Sequence, residues 1–191
     1  MKTINSNLVA FTFFAVIATS CQKEIKISQT EFSESSAKAN TQPTPAICNG
    51  RYNVILESGQ PTANNGLYTW IWSIQNPNPG NGTNGTVQDL SHWGMQFGHC
   101  FNWSHVVSSA YSYNGSTWHS FTPEYKIDKS QNCITTPVFK FDAGTNGSAK
   151  TYYRLVLNTY YPSGNNAFGN FKSGSSLPCC TFNFNGISCN E

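Results

Sequence analysis

The feature that most constrains this chain is a two-residue hydrophobic period, repeated in short runs along most of its length. Tyr68, Trp70, Trp72 and Ile74 alternate with Thr69, Ile71, Ser73 and Gln75. Successive side chains of a strand point to opposite faces, so such a run buries one face and wets the other. Tyr52, Val54 and Leu56 follow the same rule, as do Phe139 and Phe141, then Tyr153, Leu155 and Leu157, then Cys180, Phe182 and Phe184. Between runs stand Asn65-Gly66, Asn114-Gly115, Asn146-Gly147 and Asn185-Gly186. Asn and Gly accept the positive φ that tight hairpins demand. About nine or ten short strands with regular turns predict an all-β chain, a single antiparallel β-sandwich. The loop 76–85, rich in Gly, Pro and Asn, is expected to cross between sheets; its other reading is a ligand-facing loop.

Unusual residues concentrate between Leu90 and Phe121, which hold His92, His99, His105 and His119. Trp93, Met95 and Phe97 form one face of a strand, with His92, Gly94 and Gln96 on the other. Asp89 precedes this strand and is expected to hydrogen-bond His92, as a brace at the strand end or as part of a binding surface. Asn102 is placed to cap a helical turn, and Val106 onward reads as strand. With Asn114-Gly115 as a two-residue type I′ turn, Tyr111 pairs with Trp118 and Tyr113 with Ser116. Tyr111, Tyr113 and Trp118 then share a face, expected to be core. Trp103 joins Asp89 and His92 as a candidate binding residue.

Several chemistries are excluded by spacing. No two histidines lie two apart, as a strand site needs, or four apart, as a helix site needs, so no metal or other cofactor is expected. Glu57, Asp89, Glu124, Asp128 and Asp142 are scattered, with no evident pair for glycoside hydrolysis. Hydrolase and phosphate-loop motifs are missing, so no catalytic residue is assigned. Charged residues make up 10% of the chain and no basic cluster occurs, which argues against nucleic acid as a partner.

The amino terminus has the form of a secretory signal, residues 1–20: Lys2, an apolar run from Leu8 to Ala18, then small residues. Ala18-Thr19-Ser20 before Cys21 resembles a bacterial lipobox, although that pattern prefers Leu where Ala18 stands. The resemblance implies that Cys21 is acylated at its sulfur and anchors the protein in a lipid bilayer. An ordinary signal peptidase cutting at the same bond would instead release a secreted protein. Residues 21–46 are polar, end in Pro43-Thr44-Pro45 and read as a disordered tether. The remaining segment, 47–191, has the size of one domain. Acylation of Cys21 leaves an even set for an oxidising compartment: Cys48, Cys100, Cys133, Cys179, Cys180 and Cys189. If Asn185-Gly186 turns a hairpin, Cys180 sits diagonal to Cys189, too far for a bond. The last strand is therefore expected to be stapled to other parts of the domain, with Cys48 and Cys100 or Cys133 as natural partners. Cys100 is read as a staple rather than a thiol nucleophile, because its neighbour His99 points to the opposite face of a strand.

Gln22-Lys23-Glu24 after the cysteine resembles the start of Bacteroidota surface lipoproteins. Tyr111-Ser-Tyr-Asn-Gly-Ser-Thr-Trp118 resembles the hairpin of discoidin-like and related carbohydrate-binding β-sandwiches. Together these resemblances imply an outer-membrane, surface-exposed lipoprotein of the bacterial envelope that binds glycan or another surface polymer. The alternative is an adhesion or structural lipoprotein working through protein contacts; a hydrolase ranks third.

Overall fold

The structure, a computed structural model, describes residues 46–48, 50–122, 124–174 and 179–189. The expected signal segment, Cys21 and all but the last residue of the expected tether lie outside the described residues. Among the described residues no helix is long and apolar enough to cross a membrane. Twelve strands form, two or three more than the alternation suggested. In chain order they are β1 (Ala46–Ile47), β2 (Asn53–Leu56), β3 (Thr62–Asn64), β4 (Leu67–Gln75), β5 (Leu90–Gln96) and β6 (Val106–Ser112). There follow β7 (His119–Phe121), β8 (Glu124–Lys126), β9 (Val138–Phe141), β10 (Lys150–Leu157), β11 (Ser163–Ser173) and β12 (Cys180–Ile187).

Two sheets pack face to face. One runs in the order β1-β12-β11-β5-β9-β8, the other β2-β4-β10-β6-β7 with β3 beside β4. All pairings are antiparallel except that of β1 with β12. Trp70, Trp72, Trp93, Phe139, Phe141, Tyr153 and Leu155 are fully buried between the sheets. These are the inward members of the alternating runs, so the two-residue period correctly identifies the core face. Trp93 bridges the layers, stacking on Phe141 and meeting Tyr153 edge to face. Trp72 resolves its buried indole by donating from Nε1 to the Asn185 carbonyl at 2.9 Å.

Three turn expectations meet three outcomes. Asn65 (φ 50°) and Gly66 (φ 76°) join β3 to β4 as the positive-φ pair a type I′ hairpin needs. At Asn114-Gly115 only the glycine has positive φ, so the two-residue turn does not form. Tyr111 pairs with His119 instead of Trp118, and a wider loop intervenes. The Asn114 carboxamide closes that loop, its Oδ1 accepting the N–H groups of Ser116 (2.9 Å) and Thr117 (2.8 Å). Asn185-Gly186 turns nothing. Gly186 lies within β12 opposite Gly164, where a side chain would come within 3.0 Å of Ala167.

The disulfide expectation survives the loss of that hairpin. Cys48 joins Cys180, Cys100 joins Cys189, and Cys133 joins Cys179. Every bond ties the carboxy-terminal segment to a distant part of the domain. The loop 76–85 does cross between sheets, from β4 to β5. Asn102 caps a short 3₁₀ turn, Trp103–His105, accepting the Ser104 N–H, and the strand begins at Val106 as expected.

Candidate functional site

Loops at one end of the sandwich form the most varied concave surface. This is the end where β6 finishes, β10 begins and β5 begins. Three depressions lie in series there. The first, about 360 Å³, is lined by Tyr111, Phe121, Glu124, Lys140 and Asp142. The second, about 370 Å³, is lined by Leu90, Tyr113, Gly144, Thr145, Asn146 and Ala149. A third, more open and about 580 Å³, is bounded by Pro79, Gln88, Asp89, Asn146 and Gly147. Consecutive residues Ala143 and Gly144 link the first two, and Asn146 is common to the second and third.

The aromatic wall of this groove follows from the shifted hairpin register. With Tyr111 opposite His119, both rings project from the same face and stack at 5.1 Å. Tyr113 meets Tyr111 edge to face at 5.4 Å. Tyr113 is 56% exposed, which corrects the core expectation for that ring, whereas Tyr111 is partly buried and packs against the core. Trp118 leaves the group: it lies on the opposite face of the sheet, its ring 4.4 Å from the Arg154 guanidinium.

The floor is rigid for identifiable reasons. Tyr153 donates its hydroxyl to the Ala143 carbonyl at 2.9 Å, and Thr145 donates its N–H to the Leu90 carbonyl at 3.1 Å. Gly144 packs so tightly that a Cβ would sit 1.5 Å from the Leu90 carbonyl oxygen. Asp89 Oδ1 accepts the Gly147 N–H at 2.8 Å, fixing the Asn146-Gly147 turn against the third depression. Lys140 holds Asp142 at 2.8 Å, and Lys126 pairs with Glu124. Glu124 and Asp142 thus each carry a lysine, while Asp89 is held by the Gly147 N–H.

His92 is elsewhere and has a different partner from the one expected. Its Nε2 lies 2.8 Å from Asp128 Oδ2, while Asp89 is engaged by Gly147. The physical reason is competition: the Gly147 N–H holds Asp89 at the start of β5, and the segment between β8 and β9 brings Asp128 onto His92. Leu90 pairs with Ser173 and His92 with Lys172, so Ser91 between them is an extra, bulged residue. Ser130 completes a trio, its hydroxyl 2.7 Å from Asp128 Oδ1 and 3.3 Å from His92 Nε2. The three residue types are those of a hydrolytic triad, but the geometry is not. A triad needs the carboxylate on one imidazole nitrogen and the nucleophile on the other. Here both face Nε2, and the Ser130 proton is directed to Asp128. Burial lowers the His92 pKa, although Asp128 opposes that. For Asp128, burial works upward but is outweighed by hydrogen bonds from Ser130 and His92, which bring it to about 2. A neutral imidazole donating to a carboxylate satisfies both directions.

Trp103 stacks on Tyr125 at 5.3 Å and leans on Phe139, at the far end of β6 from Tyr111. Asp89, His92 and Trp103 are therefore not brought together; only Asp89 borders the groove. Among the described residues no group of three or more His, Cys, Asp or Glu side chains is arranged to hold a metal. No protein-family model, curated protein or solved structure matches the chain.

Proposed function

We propose that the chain is a membrane-tethered, cell-surface binding module whose ligand is a glycan or a chemically similar surface polymer. The observation that carries this reading is the half-exposed Tyr113 ring, braced edge to face by Tyr111 on the wall of an elongated groove. Flat aromatic faces suit the C–H faces of sugar rings, because apolar contact is gained without burying hydroxyls. The groove also presents acceptors and donors at fixed points: Asp142, Glu124, Lys140 and the 144–147 backbone. A largely preformed apolar wall with few placed polar groups is what small-ligand sites favour. Binding rather than turnover is the better reading. Glu124 and Asp142 are each paired with lysine, and the histidine of the groove wall, His119, has its ring stacked on Tyr111. The lipobox-like stretch before Cys21 and the polar segment after it support the tether.

Two experiments test this. A polysaccharide array probed with the full chain is expected to give binding that Tyr113→Ala weakens at least tenfold, with the melting temperature unchanged. Equal binding by the variant rejects the aromatic groove as its site, and blank arrays reject the glycan reading. In that case a protein captured by cross-linking on intact cells would favour adhesion. Mass spectrometry of the mature protein is expected to find Cys21 acylated, and an unmodified cysteine there rejects the membrane tether.

A further inference from the structure

A cavity of about 680 Å³ lies at the opposite end of β5 from the groove. Gln96, Phe97, Asn166, Phe168, Ser188 and Cys189 line it. Phe168 projects from the outer face of its sheet, with Gln96 and Asn183 as its cross-strand neighbours on β5 and β12. The residue is 48% exposed in mid-sheet. Beyond Gln96, β5 ends while β11 continues back to Ser163, so the cavity occupies the space a longer β5 would have filled. A bulge between Gly164 and Ala167 turns Asn166 toward the cavity, where its Oδ1 accepts the Ser188 hydroxyl at 2.9 Å. That contact fixes the carboxamide. The Cys100–Cys189 disulfide closes the floor. Among the described residues, no lysine, arginine, aspartate or glutamate lines the cavity.

We infer that this cavity is a second ligand site, taking one unit of an uncharged, hydroxyl-rich polymer: a neutral glycan. An exposed ring supplies the stacking face. Gln96 and Asn166 supply amide donors and acceptors of the right kind for vicinal hydroxyls. With no ionic group in the lining, an anionic ligand would find no counter-charge, so neutral sugars are selected over phosphorylated or sulfated ones. The site does not depend on the aromatic groove at the other end of the domain.

The full chain is titrated by calorimetry with hexasaccharides of glucose, mannose, galactose and N-acetylglucosamine, in wild-type, Tyr113→Ala, Phe168→Ala and doubly substituted forms. The expected result is residual binding in Tyr113→Ala that Phe168→Ala weakens at least tenfold and that added salt leaves unchanged. A Gln96→Ala substitution in the same background is expected to weaken it several-fold. All three altered residues are at least partly exposed, and melting curves establish that the variants fold. If Phe168→Ala matches its parent in both backgrounds while Tyr113→Ala abolishes binding, the inference falls and the groove reading stands. Should only Phe168→Ala weaken binding, the inference stands and the groove reading falls. Failure of every probe to bind wild type overturns both, and binding of an extended peptide alone at Phe168 would replace this inference with strand addition.

Discussion

His92 and Asp128 show how a single residue pair gives the domain a pH response without any catalytic role. His92 is 7% exposed and Asp128 4%, and the folded state holds the imidazole neutral because burial lowers its pKa. The unfolded imidazole takes up a proton near pH 6.5, while the folded one resists until lower pH. The unfolded state therefore binds more protons as pH falls below about 6.5, and stability must fall with it. Asp128 adds a second loss at lower pH, which begins as pH falls below the ordinary carboxylate pKa of about 3.9 and is complete below its folded pKa of about 2. Thermal melts between pH 7.5 and 5 are expected to show a declining midpoint. His92→Gln keeps a donor for Asp128 and removes the titration, so its midpoint should fall less over that range. An identical slope in both proteins would show that His92 does not control the response. The pair was invisible in the sequence because its members are 36 residues apart, and no periodicity links a bulged strand to the loop that covers it.

Elements were far more legible than residue pairs, and the reason is physical. An alternating run such as Tyr153-Leu155-Leu157 encodes which face is buried, whatever strand lies beside it. Turn geometry is less secure, since one Asn-Gly dipeptide makes a tight hairpin at 65–66, another a side-chain-closed loop at 114–115, and a third sits inside β12. The difference lies in whether neighbours such as Ser112 and Asn114 offer the backbone competing hydrogen bonds. The segment between β8 and β9 carries Asp128 and Ser130 and was not foreseen as a structural unit. It builds a small apolar cluster of its own, Cys133, Ile134 and Val138, with Cys179 against it. This cluster is separate from the main core, so the Cys133–Cys179 bond is its principal restraint. Closing a loop of 46 residues is worth about 4 kcal/mol on a chain-entropy basis. Replacing both cysteines with serine is expected to leave the fold intact, since the main core does not include them. The melting midpoint should drop, and amide exchange should accelerate first between residues 127 and 134. Unchanged exchange in that segment would mean that the His92–Asp128 contact, rather than the disulfide, holds it.

At the scale of the whole domain, the two candidate sites occupy opposite ends of one rigid strand. Leu90 borders the aromatic groove and Gln96 borders the Phe168 cavity, and six residue steps of a strand span about 20 Å. A single rigid polymer segment bound in one site cannot also fold back into the other across that distance and around the sheet. A head with such an arrangement joins two polymer strands, or two distant segments of one strand, rather than gripping one segment twice. Linking of this kind raises the strength of attachment to a polymer layer well beyond that of either site, because the second contact forms at high effective concentration. It also predicts a bulk property that neither site alone would give. Mixing the full chain with a long neutral polysaccharide that it binds is expected to raise turbidity at intermediate ratios of protein to polymer. The signal should disperse again when protein is in excess and each strand is saturated. Tyr113→Ala and Phe168→Ala should each still bind the polymer in a pull-down, yet fail to produce turbidity. Turbidity retained by either variant would show that the cross-linking contact lies elsewhere on the molecule.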